Sequence, residues 1–526
     1  MNELRLFFLV VRGIVKLIYL LLRGVVRLVA RIMRALVGRN APPQAPSPHP
    51  GLAQLGQATA ATGTAPERAA IERLAAELGE LAKGARALEA RCTAAPLCAP
   101  LLRTLRDFAL PKLAELQADT RRATPATALR PLVFAAAYLD ALLGVISRMA
   151  DQRGDPSLAE LIDDADALAE ACYRPVVDYC RINAVPLSSD RAAAVFGDDC
   201  SPWLARVDDP TGLAILHLPW KWLAEVHRWP AIGHEVGHDF YDSVAGLDDE
   251  LLRRHGLGAV AGDAHVLDGS EGVALRDVDR IVANWRRELV ADAFGVMMLG
   301  PAYVVTTATI FARPDAPTEA LAVAIDGDDY EVHPPGHVRV VAVCRLLARM
   351  GYGALGVNLE AQWRARHGAP SGILLPFPDG WLRVRDEPFI ERAVALTTSL
   401  YEDGFTALRG IPLSSMPGFD FGPREHEAAL AAKDAFLTDG RALVTDARLL
   451  IAGAVLAWAE RPADALRLLR AARVAVGNLP LRLPEDAPAP ARASSTQELL
   501  RDAFLLDLLL SPPVALRGRS PHGARR

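Results

Sequence analysis

The stretch WPAIGHEVGHDFY, residues 229–241, decides how this chain is read. Pro230 suits the first turn of a helix, where its missing N–H costs nothing. The residues that follow carry the spacing HExxH at His234, Glu235 and His238. On a helix, positions i and i+4 lie one turn apart on one face, so both imidazoles can reach the same tetrahedral ion. Glu235 projects to one side of that pair. There a carboxylate can take a proton from a metal-bound water without being a ligand itself. With 12 His in 526 residues, HExxH arises by chance in about 1–2% of such chains, so the motif needs support from elsewhere.

Support comes fifty residues downstream, in NWRRELVADAFG at 284–295. Glu288 and Asp292 again sit one turn apart on a helical pattern. Glu288 can complete a His₂Glu zinc site, with Glu271, Asp277 and Asp279 as rival acids. Asp292 can accept the Nδ1–H of a ligand His and fix its tautomer. Three protein donors leave a fourth position for water, the mark of a catalytic rather than a structural zinc. Further on, HPPGHVRV at 333–340 offers two more imidazoles. His333 or His337 can donate a hydrogen bond to the tetrahedral oxyanion that water attack creates. Alternatively, His333-Pro334-Pro335 only shapes the loop before a helix. Tyr303, in the Gly300-Pro301-Ala302-Tyr303 turn, reads as a packed aromatic more than as a donor. Arg339 reads as the partner of an internal carboxylate, and His217 and His227 as structural.

HEVGH, then ELVADAFG, then HPPGHVRV together resemble the gluzincin clan of zinc metallopeptidases, most of all its M48-type branch, though no characterised family is assigned. The similarity covers roughly residues 205–345. It implies His234, His238 and Glu288 as the ligands of one Zn²⁺ per chain, Glu235 as the general base, Asp292 as the group that orients a ligand, and His333 as the His of the His-Pro element. It also implies a zincin-type core with a small sheet. The chain departs from that branch in showing no convincing transmembrane helices around the site.

Working outward, Gly212–Leu218 before Pro219 reads as a strand. In zincins an edge strand ahead of the active-site helix pairs with extended substrate. The expected class is mainly α (α+β), a zincin-type core flanked by helical regions. Residues 67–184 are Ala/Leu-rich with charges every three or four positions, the pattern of a domain of four or five amphipathic helices. The catalytic domain is expected over 185–422, with one strand near 213–218, helices at 231–299, 336–366 and 385–403, and an irregular stretch at 367–384. A C-terminal helical region follows at 423–511, broken by a Pro/Ala linker at 479–492. Residues 512–526 read as a basic disordered tail.

The N-terminal segment stands apart. Residues 1–39 hold eight basic residues and one acid (+7), whereas the rest, with 50 basic against 62 acidic residues, carries −12. The longest uncharged apolar runs, 6–11 and 17–22, have six residues each, far short of the roughly 20 that a spanning helix needs. Arg5, Arg12, Lys16, Arg23, Arg27 and Arg34 recur every seven and four residues, and on a helix they fall within an arc of about 60°. A narrow cationic stripe beside a broad apolar face suits the plane of an anionic membrane. An oligomerisation helix and a tilted span with snorkelling Arg are the other readings. Residues 40–66, rich in Pro, Ala and Gly, read as a linker. The expected location is cytoplasmic, attached peripherally to the inner face of the membrane.

Composition narrows the remaining classes. A net charge of −5 argues against a dedicated nucleic-acid binder. Six cysteines are too sparse for a disulfide scaffold, and Cys92 and Cys98 lack zinc-site spacing. The Trp cluster at 203, 220, 222 and 229 reads as packing around the strand. No GxGxxG, Walker loop or GxSxG occurs. The expectation is therefore a zinc-dependent endopeptidase acting on proteins or peptides. The alternative is a membrane-surface scaffold or sensor that keeps a metallopeptidase fold without turnover.

Overall fold

The computed structural model describes residues 65–123, 129–197, 212–220, 222, 225–257, 275–312, 332–367, 373–377, 380–438 and 440–479. The basic segment 1–39, most of the 40–66 linker, the 496–511 helix and the 512–526 tail lie outside them, as do Cys200, Trp203 and Glu271. The described residues are those of one compact unit, 70–123 with 128–526, together with 65–69 at the start of its first helix.

That unit is mainly helical. Helix α1 spans Ala65–Thr93; α2, Ala99–Thr104, runs through a π turn into α3, Leu110–Arg122. Helix α4, Leu129–Gly154, precedes α5, Pro156–Ile182. Helix α5 starts where Asp155 accepts the backbone N–H of Ser157 at 2.8 Å and Pro156 occupies the first turn. Strands β1 (Ser189–Gly197) and β2 (Gly212–Pro219) pair in parallel, with Ala192 opposite Ala214 and Phe196 opposite Leu218. The strand expected near 213–218 is present. Its partner β1 was not anticipated, because a strand buried on both faces loses the alternation that reveals strands, and an Ala run hides it further. Beyond them lie α6 (Ala231–Ser243), α7 (Leu247–Arg254), α8 (Leu275–Leu299), α9 (Pro301–Phe311), α10 (Gly336–Leu347) and α11 (Gly353–His367). The stretch 367–384, read as irregular, contains an antiparallel hairpin of β3 (Ile373–Phe377) and β4 (Gly380–Val384). Helices α12 (Glu387–Glu402), α13 (Pro423–Leu437), α14 (Ala447–Glu460) and α15 (Ala465–Gly477) complete the described fold.

Two hydrophobic cores meet at the β1–β2 sheet. Ala193, Val195, Leu213 and Ile215 join the smaller core, with Leu78, Leu101, Leu105, Leu139 and Ile146 of the first four helices. Ala192, Ala194, Phe196, Ala214, Leu216 and Leu218 point the other way, into a larger core running from α5 to α15. At its centre Phe294 packs 5.5 Å from Phe240 and 5.6 Å from Phe419, ring centre to ring centre. The backbone edge of β1 that faces away from β2 is capped by side chains. Gln152 bonds both the N–H and the carbonyl of Phe196 (2.9 and 2.7 Å), Asp166 accepts the N–H of Ala194 (2.6 Å), and Arg153 donates to its carbonyl (3.0 Å). A strand edge satisfied in this way offers no template for another chain.

Among the described residues, two stretches are long and apolar enough to cross a membrane by length and composition, Pro131–Gly154 and Gly336–His367. About half of each is buried inside the protein, and the second is broken at Gly351, where φ is +99°.

Candidate metal centre

Helix α6 owes its position to its glycines. A Cβ on Gly237 would meet Phe294 Cβ at 2.8 Å and Ala291 Cα at 2.9 Å. Without one, α6 lies directly against α8, and the flanking His234 and His238 come level with Glu288 and Asp292. Two short-range i, i+4 pairs thus become one cluster through helix contact.

The geometry is tight. His234 Nε2 and His238 Nε2 lie 3.1 Å apart. Glu288 Oε2 is 3.4 Å from the first, and Oε1 is 3.3 Å from the second. Zinc–nitrogen and zinc–oxygen bonds of about 2.0–2.1 Å in a tetrahedron place donors about 3.3–3.4 Å apart; the imidazole nitrogens lie slightly closer than that, and one ligand atom from each of the three residues falls within 4.8 Å of the others. Among the described residues they form the group of His, Cys, Asp and Glu donors able to hold a metal ion. All three are nearly buried, with exposures of 8%, 6% and 8%.

Behind the donors lies a saturated polar layer. Asp292, fully buried, accepts from His234 Nδ1 at 3.1 Å, which turns Nε2 and its lone pair towards the cluster. The Tyr303 hydroxyl donates to Asp292 Oδ1 at 2.6 Å and lies 3.1 Å from His234 Nδ1. Gly295 leaves the space that the Tyr303 ring occupies. Arg339 donates from Nε to Asp292 Oδ2 and from Nη2 to Oδ1, both at 2.7 Å, and from Nη1 to Glu288 Oε2 at 2.9 Å. Burial alone would raise the Asp292 pKa, but the Arg339 charge and the His234 hydrogen bond outweigh it and hold it at about 2. Glu288 likewise stays ionised: burial opposes its charge, and the charges of His238 and Arg339 hold it well below the usual carboxylate range. Burial would lower His234, yet the hydrogen bonds to Asp292 and Glu288 outweigh it and hold it up at about 9.

On its far side, α6 is anchored by Asp239. Its Oδ2 accepts from Ser189 Oγ (2.6 Å), Ser243 Oγ (3.1 Å) and the Tyr173 hydroxyl, tying the helix to β1 and α5. Burial pushes the Asp239 pKa up to about 6 despite those three donors.

The donors open into a cleft of about 220 Å³. Glu235 and His333 line it, and its wall continues through Trp222, Ala231, Thr306, Thr307, Ile310 and Phe311. His333, on the loop before α10, is half exposed, with Nε2 3.6 Å from Glu288 Oε1. His337 is placed elsewhere: its Nδ1 accepts from Trp363 Nε1 at 3.0 Å, and its Nε2 faces Asp386 at 3.3 Å. Of the rival acids, Asp279 pairs with Arg392 at 2.8 Å, away from the imidazoles. His217 lies on β2, and the His227 ring stacks on Trp458 with centres 4.3 Å apart. The roles of Tyr303 and Asp239 and the Ile310–Phe311 wall were not foreseen. The one available signal was Gly295, a small residue eight positions before Tyr303. Compared with known proteins, the chain matches no family model, no curated protein and no solved structure.

Proposed function

We propose that the protein is a zinc-dependent endopeptidase. The observation that carries this reading is the convergence of His234, His238 and Glu288 from two helices, each imidazole nitrogen within 3.1–3.4 Å of the other and of a Glu288 oxygen, with Glu235 beside them on the cleft wall. Two imidazoles and one carboxylate form a borderline donor set suited to Zn²⁺. When bound, such an ion acidifies water and polarises a carbonyl as a Lewis acid.

The chain's own residues supply the rest. Glu235 accepts the proton of the attacking water and passes it to the leaving amine nitrogen. His333, at the cleft rim, donates to the oxygen on which negative charge develops. Asp292 keeps His234 in the tautomer that presents Nε2. Because side chains cap the outer edge of β1, β2 is the strand that receives substrate backbone. The wall of Trp222, Ile310 and Phe311 takes an apolar side chain next to the cleaved bond. The cationic stripe of residues 5–34 holds the enzyme against the inner face of an anionic membrane. A protein lacking residues 1–39 should then leave the membrane fraction.

Metal analysis of the purified chain should return one zinc per molecule. Glu235→Gln should keep that zinc while losing turnover of peptide substrates by about 10²–10⁴-fold. A Glu235→Gln protein with undiminished proteolysis would defeat the mechanism. Zinc-free, inactive wild-type protein would favour the scaffold reading instead.

A further inference from the structure

Taking the metal centre as read above, we propose that Arg339 is a positioning residue that keeps one oxygen of Glu288 away from the metal ion. It thereby limits the protein to three donors and weakens metal binding.

Both Glu288 oxygens face the imidazole pair, Oε1 3.3 Å from His238 Nε2 and Oε2 3.4 Å from His234 Nε2. A carboxylate so placed can offer both oxygens to one cation. Doing so would fill the position that water needs. Arg339 Nη1 donates to Oε2 at 2.9 Å, a charge-assisted bond that draws this oxygen towards the guanidinium and competes with a cation for it. The guanidinium is not free to turn aside. Two further bonds of 2.7 Å hold it on Asp292, and the Phe311 ring covers it with its centre 4.8 Å from Cζ. Anchoring on Asp292 alone would use two of the guanidinium's nitrogens, and the third reaches past it to a ligand carboxylate. Arg339 also places a positive charge beside the cation site, since Nη2 lies 3.5 Å from His234 Nε2. Removing it leaves the carboxylates of Glu288 and Asp292 uncompensated, which strengthens attraction for a divalent ion.

The test uses the full chain, stripped of metal and reloaded. Co²⁺ reports coordination number through its visible absorption, which is stronger for four ligands than for five, and chelator competition reports Zn²⁺ affinity. In Arg339→Met the Co²⁺ absorption should weaken as Glu288 adds its second oxygen, and Zn²⁺ should be held about tenfold more tightly. Unchanged absorption with equal or weaker Zn²⁺ binding would overturn the proposal, because loss of mere support lowers metal affinity. Should Arg339→Met fail to fold, Arg339→Lys decides. One ammonium cannot hold Asp292 and Glu288 together, so the same shifts should appear at smaller size, and their absence overturns the proposal. Failure of the unmutated chain to bind either ion would refute the metal centre itself, an outcome visible before any variant is made.

Discussion

The two cores on either side of the β1–β2 sheet treat charge differently. In the helices ahead of the sheet, ion pairs such as Lys83–Glu80 and Arg122–Asp119 sit on the surface; the buried exceptions are Lys112, paired with half-exposed Glu115, and Arg153, which serves the edge of β1, and the core is mostly Leu, Ala, Val and Ile. In the larger core, Arg339, Asp292 and Glu288 form an ion-pair network behind the imidazoles with almost no solvent contact. Surface pairs contribute little to stability and cost little. A buried network must overcome the desolvation of every member, and apolar residues of equal volume often stabilise as well or better. The contrast points to the candidate metal centre: charge is buried here for what it holds in place.

The sharpest way to break the contrast is Asp292→Ala, which leaves Arg339 buried with half its partners. Urea unfolding should show a loss of about 3–5 kcal/mol, accompanied by weaker zinc binding. A smaller loss would mean that water reaches the guanidinium.

His217, on β2 at the boundary between the cores, tests the same rule with a titratable base. Burial, helped by the charge of Arg148, pushes its pKa down to about 4. The folded protein therefore refuses a proton that the unfolded chain accepts below about pH 6.5. Stability should fall between pH 6.5 and 4 by up to about 3 kcal/mol from this group and then level off. In His217→Met, denaturation midpoints followed against pH should lose this part of the slope; an identical slope would show that His217 is hydrated.

Gly237→Ala asks whether helix proximity matters in itself. The added methyl pushes α6 from α8 and should cost about 1–3 kcal/mol, with zinc affinity falling as the donors separate. Loss of stability without loss of affinity would show that the site tolerates the shift. The smallest effect belongs to the front helices: Glu80→Ala should change stability by no more than about 0.5 kcal/mol.

Much of the site could be read before any fold was known, because its pieces are local. His234 with His238, and Glu288 with Asp292, are each one helical turn apart, and that spacing survives any tertiary arrangement. What could not be read depends on elements meeting. Tyr303 reaches His234 only because Gly295 leaves room on a different helix, and the three-pronged grip of Arg339 depends on the angle at which α10 crosses α8. The fold divides along the same line. The helices follow from their period and β2 from its apolar run between breakers. Strand β1 is an Ala-rich stretch whose character comes from Gln152, Arg153 and Asp166 satisfying its backbone. The buried side chains of α5, from Ile162 to Cys180, pack with the larger core rather than with the helices before it, a partnership no helical period reveals.

The two-stranded sheet is a party wall. Each side presses on a different set of helices, so neither set can be lifted away without stripping the other bare. Cutting the chain before α5 would expose Ala193, Val195, Leu213 and Ile215 to water on the far side of the sheet from the helix that carries the imidazoles. The front helices are therefore no detachable appendage: a fragment that folds has to keep them, and heating should melt both halves in one cooperative step.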